Sequence, residues 1–153
     1  MKNGKRIKSI IAVVMLAFAA AACKKEEPVV IEYLDVNVSN LAGSWELVEW
    51  NGSALHPGTY VFLDIVRKDK TYTMYHNMDS FSNIPHKTTG RFYIETDPAL
   101  GAIIRGEYDH DSGDWAHRYI VLDLTADSMK WVAKDDPEYV QIYKRIESVP
   151  VKE

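Results

Sequence analysis

The chain has 153 residues, with 18 Lys and Arg against 22 Asp and Glu, and a single cysteine. Four of the basic residues, Lys2, Lys5, Arg6 and Lys8, fall in the first eight positions, so the remainder is strongly acidic. An acidic chain lacks the basic patch that nucleic acid requires, and one cysteine excludes an intrachain disulfide framework.

The basic start runs into an apolar stretch, Ile10 to Ala22, that ends in four alanines, Ala19 to Ala22. A basic n-region, a short h-region and small residues at the exit make a secretory signal peptide. The stretch is shorter than the roughly 20 apolar residues a bilayer-spanning helix needs. Residues 1–22 are therefore expected to be a signal helix that is removed and supports no core position. Ala20-Ala21-Ala22-Cys23 resembles the lipobox of bacterial lipoproteins. That resemblance implies cleavage before Cys23 and lipidation of Cys23, palmitate being one such acyl group. Lys24-Lys25-Glu26-Glu27 resembles the surface-export signal of Bacteroidetes lipoproteins, which implies an outer-membrane lipid anchor with display at the cell surface.

Without the leader, 131 residues with 14 basic and 22 acidic side chains remain, a formal charge of −8. That length suits one domain with a sizeable core. Membrane attachment would rest on the acyl anchor, because the surface charge does not favour anionic lipid. Residues 23–40, including Pro28, read as the lipidated cysteine and a tether, in which Val29 to Val38 could add a short edge strand. Residues 41–147 read as the domain and 148–153 as a C-terminal tail.

The first domain strand is Trp45 to Trp50, where Trp45 and Leu47 alternate with polar neighbours, the period of a half-buried strand. Asn51-Gly52 is a turn signal. Tyr60 to Arg67 follows, apolar on both faces for part of its length, and then Thr71 to His76, with Tyr72, Met74 and His76 on one face. An irregular loop from Asn77 to Lys87 leads to Thr88 to Glu95, with Phe92 and Ile94 on one face, ended by Asp97-Pro98. Gly101 to Tyr108, Trp115 to Leu124, Ser128 to Lys134 and Tyr139 to Ile146 complete eight strands. No 12-residue window after the leader holds a helical apolar stripe. Short strands joined by turns at regular intervals predict a closed antiparallel barrel or a sandwich.

Gly43-Ser44-Trp45 on the first strand, eight strands in meander order and Arg145 on the last together resemble the lipocalin-like proteins, and most closely the lipocalin-like lipoproteins of gut Bacteroidetes. The resemblance implies an all-β, eight-stranded, antiparallel up-and-down barrel. In it Trp45 closes the base and Arg145 stacks across its ring as a structural pair, a cation–π contact worth about 0.5–2 kcal/mol. It also implies a small apolar or amphipathic ligand, for which Tyr72, Met74, Phe92, Tyr119 and Trp131 are the pocket candidates. Aromatics with a polar edge line pockets and also fill ordinary cores. An eight-stranded barrel can hold one small ligand or be filled by its own side chains, and the residues leave both open.

Asp109 to Asp114 has the acids and glycine of a turn as much as of a cation loop, and the histidines lack paired zinc spacing. No cofactor, metal or catalytic motif is called for, and an enzyme is not expected. The competing roles are a ligand-binding surface lipoprotein, a non-catalytic structural or interaction module of the cell envelope with a filled barrel, and a protease-inhibitor-like barrel. Cavity volume separates the first two.

Overall fold

A computed structural model describes residues 28–78, 84–111 and 113–150. The segment expected to be a signal peptide, Cys23 and the last three residues of the expected tail lie outside the described residues. The barrel unit comprises the chain from Ile31 onward.

Among the described residues one short helix, α1 (Val38–Leu41), precedes nine strands: β1 (Gly43–Trp50), β2 (Ser53–Ala54), β3 (Val61–Val66), β4 (Thr71–His76), β5 (His86–Asp97), β6 (Gly101–Tyr108), β7 (Tyr119–Leu122), β8 (Ser128–Ala133) and β9 (Asp136–Ile146). All ladders are antiparallel, β3 to β9 pair in chain order, and β1 pairs with both β3 and β9. The sheet therefore closes on itself into an eight-stranded up-and-down barrel, and closure removes the exposed edges that an open sheet must protect. The two-residue β2 forms a small flap hydrogen-bonded to the end of β1.

Alternation along the strands builds the interior. Trp45 and Leu47 on β1, Leu63 and Ile65 on β3, and Met129, Trp131 and Ala133 on β8 are all buried. At Leu47/Glu49 the β1–β9 register shifts through a bulge. A bulge inserts one residue and exchanges the faces beyond it, so Trp50 rather than Glu49 turns towards the interior.

Besides the unforeseen β2 and a β5 that extends two residues beyond the expected Thr88 to Glu95 at each end, three elements differ from the sequence reading. The strand expected at Trp115 to Leu124 is regular only over Tyr119–Leu122: Trp115 keeps a backbone bond to the Gly106 carbonyl at 2.8 Å and lays its indole over Gly106, and the ladder is interrupted from there to Arg118. A Cβ on Gly106 would lie only 2.2 Å from that ring. The last strand begins at Asp136, three residues early, with Pro137 in a register shift opposite Val132/Ala133; a bulge tolerates the missing N–H. The segment read as a tether contributes packing rather than an edge strand. Leu34, Val36 and Val38 pack against the core, and the Leu34 N–H bonds the Leu124 carbonyl at 2.8 Å.

The base of the barrel is sealed by α1 and two side chains. Asn37 caps the helix, its side chain accepting from the Asn40 N–H, and Leu41 is fully buried. Trp45 is also fully buried and donates its indole N–H to the Leu41 carbonyl at 2.9 Å. Arg145 lies directly opposite Trp45 in the β1–β9 ladder, with its guanidinium carbon 4.0 Å from the centre of the indole. Its three nitrogens donate to the carbonyls of Asn40 (2.8 Å), Ala42 (2.7 Å) and Ala126 (2.6 Å). A helix leaves its last carbonyls without internal partners, and a planar cationic fork satisfies them at short range. Burial pulls the guanidinium pKa down from its ordinary value and the nearby Asp127 charge opposes this; arginine nevertheless stays charged. Gly43 is required here: its φ is +123°, and a Cβ would stand 2.6 Å from Arg145 Nη1.

Candidate functional site

At the opposite end, where β1, β4, β6 and β8 finish and β3, β5, β7 and β9 begin, the barrel holds a partly open cavity of about 350 Å³. Drug-sized ligands occupy pockets of roughly 300–1,000 Å³, so this space admits a small molecule. Leu47, Val61 and Met74 supply its aliphatic wall, and Met78, just after β4, lies at its rim. Trp50 enters through the β1 bulge. Tyr108, Trp115, Tyr119 and Trp131 form the wall contributed by β6 to β8 and the loop between β6 and β7.

The remaining wall comes from β9, whose pattern is inverted. Val140 and Ile142 lie on the outer face, whereas Tyr139, Gln141 and Tyr143 line the cavity and Arg145 continues the same face to the base. Polar residues on the inward face of a barrel strand are costly unless they find partners. Tyr143 is 1% exposed, and its hydroxyl donates to Gln141 Oε1 at 3.1 Å. The rings nest together: Trp131 lies 4.9 Å from Tyr143 and 5.3 Å from Tyr119, and Trp50 meets Tyr139 edge-on at 5.4 Å. These are the separations at which aromatic pairs attract beyond their buried area.

Two inward glycines make room for the floor. A Cβ on Gly90 would collide with the Glu107 carbonyl and the Tyr72 ring, as one on Gly106 would with Trp115. Trp115 donates its indole N–H to Tyr72 Oη at 2.8 Å, and that hydroxyl reaches the Glu107 carbonyl at 3.3 Å. Burial pushes the Tyr72 phenol up to about 12, with the Trp115 hydrogen bond opposing. Burial also raises Tyr119, Tyr143, Tyr139 and Tyr108 above the ordinary phenol value. The interior thus holds its phenols protonated at neutral pH.

Beside the mouth, a second and shallower depression of about 430 Å³ shares Trp115, Ala116 and His117 with the cavity. Its charged residues are already engaged. Arg118 meets Glu95 at 3.4 Å, Lys134 meets Asp97 at 3.4 Å, and His117 Nδ1 lies 3.0 Å from Asp135. The His117 hydrogen bond is the main cause that holds the Asp135 carboxyl below its ordinary value. In the β6–β7 loop, Asp109 accepts from Thr89 Oγ1 and Asp111 from the Gly113 N–H, so these acids serve the turn. Among the described residues no cluster of three or more His, Cys, Asp or Glu is placed to hold a metal ion.

Of the five pocket candidates, Met74, Tyr119 and Trp131 line the cavity. Tyr72 and Phe92 do not, and both are 1% exposed. Tyr72 lies beneath Trp115, and Phe92 bonds through its N–H to the Lys70 carbonyl at the base end of β4. Register, rather than residue type, places both on the base side of the cavity. The sequence reading missed Trp50, Tyr108, Trp115, Tyr139, Gln141 and Tyr143. The signal for β9 was present: once Arg145 is directed inward, a period of two brings Tyr143, Gln141 and Tyr139 with it.

The topology fits a lipocalin-like fold. No protein-family model matches this sequence, and no curated protein matches it.

Proposed function

We propose that the chain is a lipid-anchored outer-membrane lipoprotein, displayed at the cell surface, whose lipocalin-like barrel binds a small apolar or amphipathic ligand without catalysing a reaction. The observation that carries the binding role is the aromatic cavity of about 350 Å³ opposite a base sealed by Trp45 and Arg145. A barrel serving only to present loops has no need of such a space, since its side chains can fill it. The anchoring part rests on Ala20-Ala21-Ala22-Cys23.

Native mass spectrometry of the full-length Cys23→Ala protein, purified from its own envelope, tests the binding role. A retained small molecule released by mild denaturation is expected. A bare mass under every gentle condition would favour the structural module. In the same variant, palmitate labelling and membrane association should be lost while the fold remains, and persistent membrane association would contradict the lipid anchor.

A further inference from the structure

The chemistry of the cavity narrows what can fill it; the inference rests on the binding role proposed above. Among the described residues that line the cavity there is no Asp, Glu, Lys or Arg. Two imidazoles also line it: His117 is held by Asp135, and His76 stacks on His86 with ring centres 5.2 Å apart. An ion drawn deep into this chamber, beside Leu47, Trp131 and Tyr143, would lose its water and meet no carboxylate, ammonium or guanidinium among the described lining residues, which is strongly unfavourable. In the neighbouring depression the charged side chains are already engaged, Arg118 with Glu95, Lys134 with Asp97 and Asp135 with His117.

The walls are mostly rings, and rings favour offset or edge-on contact with other rings. A flat ring therefore suits the space better than a flexible chain. One polar group in the wall stands apart. Trp131 is 1% exposed, lines the cavity, and its indole nitrogen has no hydrogen-bond partner among the described residues. The indoles of Trp45 and Trp115 both have theirs, in the Leu41 carbonyl and Tyr72 Oη. Buried donors in native proteins are nearly always satisfied, and an exception asks for a missing acceptor.

We propose that the barrel takes up an uncharged, flat ring compound carrying a hydrogen-bond acceptor, and that this acceptor meets the indole N–H of Trp131. The N–H is sealed from solvent, so the ligand reaches it by turning an adjoining tyrosine ring aside. The orphan donor then gains its partner only in the complex, and compounds without an acceptor gain nothing from it.

A matched probe series tests this on the full-length Cys23→Ala protein at pH 7, by calorimetry with naphthalene, 2-acetylnaphthalene, 2-naphthoate, 2-naphthylmethylammonium and dodecanoate. The neutral ketone should bind at least about tenfold more tightly than either naphthalene ion, as desolvation of an unpaired charge requires. It should also exceed naphthalene by about three- to tenfold, the worth of one net hydrogen bond. In Trp131→Phe that second advantage should vanish while naphthalene binding is kept. Where Trp131→Phe does not fold, the wild-type indole N–H resonances give the same reading, with one moving downfield for the ketone and not for naphthalene. Ions that bind as well as the ketone overturn the proposal, as does a ketone preference that survives the loss of Trp131 or leaves every indole N–H unmoved. If dodecanoate binds and no ring compound does, this inference falls while the binding role stands. If nothing binds, both fall.

Discussion

The two ends of the barrel treat tryptophan in opposite ways. At the base, Trp45 is packed on all sides, its N–H bonded to Leu41 and its ring covered by a guanidinium that ties three backbone carbonyls together. At the mouth, Trp131 is as deeply buried, yet its N–H has no partner among the described residues, and its ring borders the cavity. The first arrangement completes its own hydrogen bonds and leaves nothing for a partner. The second keeps a cavity and an unmet donor within one aromatic wall. The base is packed and internally satisfied where closure requires it, and the interior is left unfilled towards the mouth.

Substitutions can break this contrast from either side. The largest expected effect is at the base: Trp45→Ala should lower unfolding free energy by about 3–5 kcal/mol, as large-to-small core changes do. Chemical denaturation measures it, and the affinity of the molecules that remain folded should change little. A loss below about 1 kcal/mol would mean that the base does not hold the barrel together.

Gly106→Ala is expected to be smaller in stability and larger in binding. The new methyl would overlap the Trp115 ring, and overpacking typically costs about 1–3 kcal/mol. The displaced indole has the cavity as its open side, so ligand affinity should fall beyond what the lost stability explains. Retained affinity with the same destabilisation would show that Trp115 does not shape the cavity.

The smallest effect is a pH dependence set by the mouth. The folded pKa values of Tyr119 and Tyr143 are raised by burial above the ordinary phenol value of about 10. Groups so raised contribute stability that is fully present below about pH 10 and is lost as pH climbs towards their folded values. Melting temperature should therefore be insensitive to these groups between about pH 6 and 8, and fall between about pH 10 and 12. Tyr143→Phe should lessen the alkaline fall, because it removes one hydroxyl that burial forbids to ionise. An unchanged alkaline fall in that variant would place the cause elsewhere.

The contrast between the ends also explains what could be read from the sequence. Short strands with turn residues between them, such as Asp97-Pro98 before Gly101, are local signals, and the eight-stranded meander follows from them. The Asp97 side chain accepts from the Ala99 and Leu100 N–H groups, the turn chemistry such a sequence suggests. The mouth depends on departures from that regularity. A bulge at Leu47/Glu49 redirects Trp50, and a glycine on β6 makes room for the Trp115 indole to lie across the interior. Both are tertiary events, fixed by what lies across the barrel rather than by neighbours in the chain. The packing of Leu34, Val36 and Val38 was hidden for a similar reason: three apolar residues at spacing two suggest a strand, but they meet the base of the barrel without joining the sheet.

The most direct test of the division between ends uses the four tryptophans as reporters. Titration of the 15N-labelled full-length Cys23→Ala protein with 2-acetylnaphthalene, followed through the indole N–H signals, reads both ends at once. The account predicts that the signals of Trp50, Trp115 and Trp131 shift together with one saturation curve while that of Trp45 stays in place. Movement of Trp45 with the others, or no movement of the three at the mouth, would contradict it.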